Sequence, residues 1–157
     1  MLGTLQPVQI EDVLKHGLVG RIGCSTNDKT YVVPISYAYD GQFIYCHTHE
    51  GQKTSIMRKN PNICFEVEEM KDMANWKSVI LQGEFVELKE KGERNLAMDT
   101  LLRRYLPMIS SVTTHLGDHW PFHSDDATEI DGITFKIKIN EKYGRFESGD
   151  STSNIFG

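Results

Sequence analysis

The alternation of apolar and polar residues predicts a chain made mostly of strands, with three helices set among them. Ile10, Val13 and Leu14 fall at helical spacing, with Glu11 and Asp12 early and Gly17 just after, which predicts a short opening helix over Gln9–His16. Four strand-like segments follow, Leu18–Ser25, Thr30–Tyr39, Gln42–Thr48 and Ile63–Glu69, the first three separated by the turn signals Asn27-Asp28 and Asp40-Gly41. Asp40-Gly41 predicts a two-residue hairpin with positive φ at both central positions, making its flanking strands antiparallel neighbours. Pro34 lies inside the second segment, where its missing N–H cannot feed a ladder, so that strand needs an edge, a bulge or a break.

A two-turn helix fits Gly51 to Asn60, with only Ile56 and Met57 to bury, and Asn60-Pro61 ends it. Trp76–Lys89 has the length of a long, bent strand in which Gly83 marks a bulge or a close approach. Glu90–Tyr105 places Leu96, Met98, Leu101, Leu102 and Tyr105 at near-helical spacing, with Pro107 beyond the end. From Leu106 to Asp131 no period persists; Ile133, Phe135, Ile137 and Ile139 then alternate with Thr134, Lys136 and Lys138 as in a half-buried strand. About six strands and three helices make a mainly β fold: a small antiparallel β-barrel with a few helices, one domain over residues 1–147 and a polar tail over 148–157.

Composition narrows the functional classes. The chain has 157 residues, 39% of them hydrophobic and 25% charged, which suits one globular domain. Seventeen basic against twenty-two acidic residues give a net charge of -5, and no run of like charges forms a nucleic-acid arm or a polybasic anchor. Neither nucleic acid nor membrane is an expected partner, and without a basic leader or a span-length apolar stretch the expected location is the cytoplasm. Cys24, Cys46 and Cys64 are an odd count in strand-like contexts, and are expected as buried, reduced thiols.

The chemistry-bearing stretch is YCHTHEGQKTSIMRKNP, from Tyr45 to Pro61. A helix start there presents unpaired N–H groups and a partial positive charge, and Lys53 adds a full cation where the dipole favours an anion. A bound phosphate resolves that conflict; a solvated lysine at a helix start is the plainer reading. His47 and His49 share a strand face while Cys46 points to the other, so the three do not converge on a metal. His115, His119 and His123 are spaced four apart, but Gly117 and Pro121 interrupt a helix through all three. The chain carries no HExxH, no CxxC and no Gly-rich phosphate loop, and no catalytic residue is assigned.

One set of segments, taken together, resembles a known family: Tyr31-Val32-Val33-Pro34-Ile35-Ser36-Tyr37-Ala38-Tyr39-Asp40-Gly41, Ile44-Tyr45-Cys46-His47-Thr48, Gly51-Gln52-Lys53, and Asn60-Pro61 with Ile63-Cys64-Phe65-Glu66-Val67. This order is similar to the pyridoxamine 5'-phosphate oxidase-like FMN-binding split barrels, over roughly residues 10 to 147. Trp76 to Glu84 and the strand from Ile133 to Arg145 most resemble the branch containing the nitroimidazole-resistance reductases. The resemblance implies a six-stranded antiparallel split barrel that is a homodimer with FMN at its interface. Carried over by position, Lys53 would pair with the phosphate; His47, Thr48 and Gln52 would line the phosphate and ribityl path; Ser78 would approach from the long strand. Backbone groups of Val32, Val33, Pro34, Ile35 and Ser36 would meet the flavin ring edge, and Trp120 with Phe122 would cover the flavin from the partner subunit, a local core plug being the alternative for that pair.

The vitamin-forming oxidases carry further basic residues at the phosphate corner and an arginine-rich C-terminal segment. Here Gly51 and Gln52 flank Lys53 and the chain closes with Tyr143-Gly144-Arg145-Phe146-Glu147, which argues against oxidation of pyridoxamine phosphate. The implied function is an oxidoreductase taking electrons from NADH or NADPH through FMN to a small electrophile such as a nitroaromatic or a quinone. A flavin-binding module without turnover is the alternative, and a haem-binding split barrel a third.

Overall fold

The segment expected as one strand from Thr30 to Tyr39 is two strands at opposite edges of one sheet. The computed structural model describes residues 1–109 and 131–149. In chain order these form β1 (Leu2–Thr4), α1 (Pro7–His16), β2 (Val19–Thr26), β3 (Lys29–Ser36), β4 (Ala38–Tyr39), β5 (Phe43–Thr48), α2 (Gln52–Lys59), β6 (Asn62–Asp72), β7 (Asn75–Glu87), α3 (Lys91–Ile109) and β8 (Ile133–Ser148). The strands pair antiparallel in the order β3-β2-β6-β7-β8-β5-β4, with β1 added along β8. β3 and β4 are the two ends of that path, yet only Tyr37 separates them in sequence. A sheet whose edges are one residue apart must curl back on itself, and the result is a barrel split between β3 and β4. The described residues thus hold eight strands rather than six, the additions being β1 and the division at Tyr37.

Pro34 is accommodated because β3 is an edge strand, laddered among the described residues to β2 alone, with Pro34 opposite Arg21. The β2–β3 turn at Asn27 and Asp28 has φ of 50° and 62°, the left-handed pair of a type I′ hairpin. The β4–β5 hairpin is centred one residue later than expected, on Gly41-Gln42, because the Asp40 N–H bonds the Phe43 carbonyl. Only Gly41 there has positive φ, at 96°. Asp40 contributes its carboxylate instead, accepting the N–H groups of Gln42 and Phe43 at 2.8 and 2.7 Å.

β7 and β8 are the long strands. Their register slips between Gln82 and Gly83, and a Cβ on Gly83 would lie 2.5 Å from the Lys138 carbonyl oxygen, so the bulge and the close approach expected of Gly83 are one feature. β8 continues past the expected end at Ile139 to Ser148, because the bulge lets pairing with β7 resume beyond it.

The core fills the barrel with Leu14, Ile22, Tyr37, Ile44, Cys46, Phe65, Leu81, Phe135 and Ile137, among others. Each such side chain contributes about 1.5–3 kcal/mol. A second cluster, Ala38, Tyr45, Leu88, Ala97, Met98 and Leu101, lies between β4–β5 and α3. β5 is therefore buried on both faces, and Thr134, expected on a solvent face, is fully buried with its hydroxyl 3.4 Å from the Met98 sulfur. In α3 the buried stripe begins at Ala97 rather than Leu96, which is exposed, and the helix continues through Pro107 to Ile109. α1 begins two residues before the expected start, with Pro7 in its first turn. Among the described residues no helix is long and apolar enough to cross a membrane.

Candidate functional site

The strand-to-helix corner after β5 forms as the sequence implies. β5 ends at Thr48, Gly51 is the N-cap of α2, and Lys53 is in the first turn. Within that turn the Gly51 N–H bonds Thr54 Oγ1 at 3.0 Å, and the Ser55 N–H bonds the Gly51 carbonyl. The N–H groups of Gln52, Lys53 and Thr54 have no acceptor among the described residues. Lys53 is half-buried and takes part in no hydrogen bond or ion pair among them. Burial pushes the Cys46 and Cys24 thiols up, and the Lys53 charge opposes that rise at both. A cation, three free N–H groups and the positive end of a helix dipole therefore meet at one point, a combination suited to an anion.

His47 and His49 point to the same side of β5, their rings 5.6 Å apart and edge-on, while Cys46 is buried on the other. His47 Nε2 lies 2.6 Å from the Asp131 carbonyl oxygen, so Nε2 carries the hydrogen and donates it. Burial holds the His47 pKa below its ordinary value despite that bond, leaving a neutral ring at pH 7. Arg94 donates to the next carbonyl, that of Gly132, at 3.1 Å. Gly132 has φ of 106°, and a Cβ there would lie 2.6 Å from the Thr48 carbonyl oxygen. The end of β5 and the start of β8 are in this way tied together beside the corner. No group of three or more His, Cys, Asp or Glu side chains among the described residues is arranged to hold a metal ion.

His47, Thr48, Gln52 and Lys53 thus share one corner, with Thr48 buried and Gln52 exposed. β3 adjoins it: Cys24, whose thiol senses Lys53, pairs in register with Tyr31, and Asn60 Nδ2 ties the end of α2 to the Ser25 carbonyl at 2.8 Å. Val32, Pro34 and Ser36 face outward and are exposed, whereas Val33 and Ile35 face the barrel. Among the described residues, β3 is an edge strand with no ladder partner on its side away from β2.

Ser78 is elsewhere. It pairs with Arg145 and donates to Glu66 Oε1 at 3.1 Å, while Thr48 at the corner pairs with Ile133. Twelve residues of β8, roughly 40 Å of strand, separate those two register positions. Cys64, expected buried, is half-buried on the outer face beside Gly23. Trp120, Phe122, His115, His119 and His123 lie outside the described residues. Missed at the level of sequence was an ion-pair network on the far side of α2, in which Arg58 holds Glu50 and Glu87. Its signal is non-local, since Glu87 is 29 positions from Arg58.

Comparison with known proteins places these features in a family. The family model described as Pyridoxamine 5'-phosphate oxidase matches residues 7–145. An uncharacterized protein of Rhizobium meliloti (strain 1021) is 36% identical over 80 residues, 51% of this chain and 53% of the relative, so the chain matches about half the length of that relative. Among solved structures, a FAD-binding protein from Mesorhizobium loti is 28% identical with a TM-score of 0.73, covering 95% of this chain and 98% of the other. A candidate 5-nitroimidazole antibiotic resistance protein from Bacteroides thetaiotaomicron, 18% identical with a TM-score of 0.68 over 93% and 89% of the two chains, shares the fold. So does the flavocytochrome Anf3 from Azotobacter vinelandii, 17% identical with a TM-score of 0.69 over 92% and 68%. With the split barrel and a family match spanning most of its length, the chain belongs to the pyridoxamine 5'-phosphate oxidase family.

Proposed function

We propose that this chain is an FMN-binding flavoprotein, working as a homodimer with the flavin at the subunit interface, and an oxidoreductase. In this reading it passes two electrons from NADH or NADPH to a small electrophile such as a nitroaromatic or a quinone. The observation that carries it is Lys53: a half-buried cation with no carboxylate partner among the described residues, in the first turn of a helix whose leading N–H groups have no acceptor among them either. A phosphate monoester satisfies all of these at once. Membership of the family, and the Mesorhizobium loti relative described as FAD-binding, support a flavin. A corner with a single lysine favours the one phosphate of FMN.

In this reading Lys53 and the α2 N–H groups hold the phosphate, and Gln52, Thr48 and neutral His47 line the path beside it. The unladdered edge of β3, Val32 to Ser36, supplies N–H and C=O groups to the polar edge of the ring. The bound flavin supplies the electron-transfer chemistry, so no catalytic acid or nucleophile is required of these side chains. Ser78, which sits beside Glu66 rather than at the corner, is proposed to approach the flavin of a second copy in a homodimer. Trp120 is proposed to cover the flavin from that copy.

Stopped-flow mixing of FMN-loaded protein with NADH and with NADPH tests the enzyme reading. Bleaching at the flavin band with one donor, and its return on adding a nitroaromatic or quinone, is the expected result. Tight binding without bleaching by either donor makes the protein a flavin-binding module instead. A Soret band on haem titration, with no flavin bound, replaces both.

A further inference from the structure

Every nitrogen of the Arg58 guanidinium is engaged. Nη1 and Nη2 donate to the two oxygens of Glu50 at 2.8 and 2.7 Å, and Nε and Nη2 donate to those of Glu87 at 3.1 and 2.8 Å. Two carboxylates thus flank one guanidinium, each in two-point geometry. Arg58 is also the first cause holding both carboxyls below the ordinary carboxylate range. Glu87 ends β7, so the pairing joins the last turn of α2 to the barrel wall.

Glu50 has another place to go. It immediately precedes the N-cap Gly51, where a carboxylate is attracted by the helix dipole and by the N–H groups of Gln52, Lys53 and Thr54, which have no acceptor among the described residues. Lys53, a cation three residues on with no partner among the described residues, adds to that attraction. A carboxylate in that position would occupy the phosphate's ground and repel the phosphate itself. In the structure Arg58, in the last turn of α2, holds the Glu50 carboxylate, which also accepts the Thr54 hydroxyl at 3.4 Å but none of the leading N–H groups among the described residues.

We infer that Arg58 is a positioning residue for the anion corner: by sequestering Glu50 it keeps Lys53 and the α2 N-terminus open to the flavin phosphate. The inference rests on the phosphate-binding reading of that corner. A merely structural tie between α2 and β7 would lower stability without distinguishing ligands by charge, and the released Glu50 is what separates the two roles.

The test is a titration of apoprotein with FMN and with riboflavin, which lacks the phosphate, for wild type, R58Q, E50Q and the E50Q/R58Q double variant. R58Q should weaken FMN about five- to tenfold while changing riboflavin less than about twofold. The double variant should recover FMN to within about twofold of wild type, and E50Q alone should bind FMN at least as well as wild type. FMN affinity unchanged in R58Q, equal loss of both ligands, or no recovery on adding E50Q overturns the inference. If wild type binds riboflavin as tightly as FMN, the phosphate reading fails first and takes the inference with it. Should circular dichroism find R58Q unfolded, the R58K series decides between the two roles in the same way: lysine loses the two-point hold, so a partial FMN-selective loss, recovered by E50Q, is expected, and its absence is contrary.

Discussion

The Tyr37 hydroxyl donates a 2.7 Å hydrogen bond to the Leu14 carbonyl oxygen, tying the residue that divides β3 from β4 to the end of α1. Tyr37 is fully buried, its ring edge-on to Phe65 at 5.2 Å, and Tyr105 of α3 donates to the Tyr37 carbonyl. The seam of the split barrel is therefore held from both sides. Tyr37→Phe keeps the ring and strands the buried Leu14 carbonyl, and should cost about 1–3 kcal/mol by urea denaturation. A change below about 0.5 kcal/mol would mean the seam is held by packing alone.

Gly83 leaves no room for a side chain at the β7–β8 bulge, where a Cβ would meet the Lys138 carbonyl oxygen at 2.5 Å and the Ile137 side chain at 2.9 Å. The nearer obstacle is backbone, which cannot rotate away. Gly83→Ala should destabilise by about 2–4 kcal/mol, with a matching fall in Tm. A neutral result would imply that the bulge relocates along β8.

Lys142 donates to Glu11 Oε1 at 2.6 Å, and Tyr39 donates to Glu11 Oε2 at 2.7 Å. Burial raises the Glu11 pKa, but these bonds and the Lys142 charge outweigh it and leave the pKa lowered; the Lys142 pKa is raised, chiefly by the Glu11 bond. The Glu11 contribution is full above the ordinary carboxyl value, roughly 4.3, and is lost as pH falls through the lowered one. The Lys142 contribution is lost only as pH rises through its raised value. Lys142→Met should thus be less stable than wild type at pH 7, by under about 1 kcal/mol given the partial exposure of the pair, with the gap closing toward pH 3. A gap that stays constant across that range would assign the effect to packing of the lysine stem.

How much of this was legible in sequence depended on distance along the chain. The strand-to-helix corner was legible because Thr48, Gly51 and Lys53 lie close together in sequence, and a strand end, an N-cap and a first-turn cation are local signals. Pro34 correctly announced an edge. The break at Tyr37 was hidden, since Tyr37 continues an apolar strand pattern and the groups that fix it, Leu14, Leu18 and Tyr105, are remote. Thr134 and Leu96 misled because the position of α3 over β5 and β8 decides which face is dry. Arg58 gave no signal in sequence because its partner Glu87 is brought to it only by folding.

The proposed homodimer is tested by its mass in solution. Light scattering on the flavin-loaded protein should give twice the 17.9 kDa chain mass. A monomer that retains flavin would mean that one chain completes the site without the Ser78 of a partner.

The proposed hold of Lys53 on a flavin phosphate is read out in the visible spectrum of the purified protein. Wild type reconstituted with FMN and desalted should remain yellow, with mass spectrometry of the released cofactor giving FMN. Lys53→Ala should lose most of that absorbance while keeping wild-type circular dichroism. A wild-type protein that stays colourless after FMN is added, or a Lys53→Ala variant that keeps its full flavin content, would contradict the account.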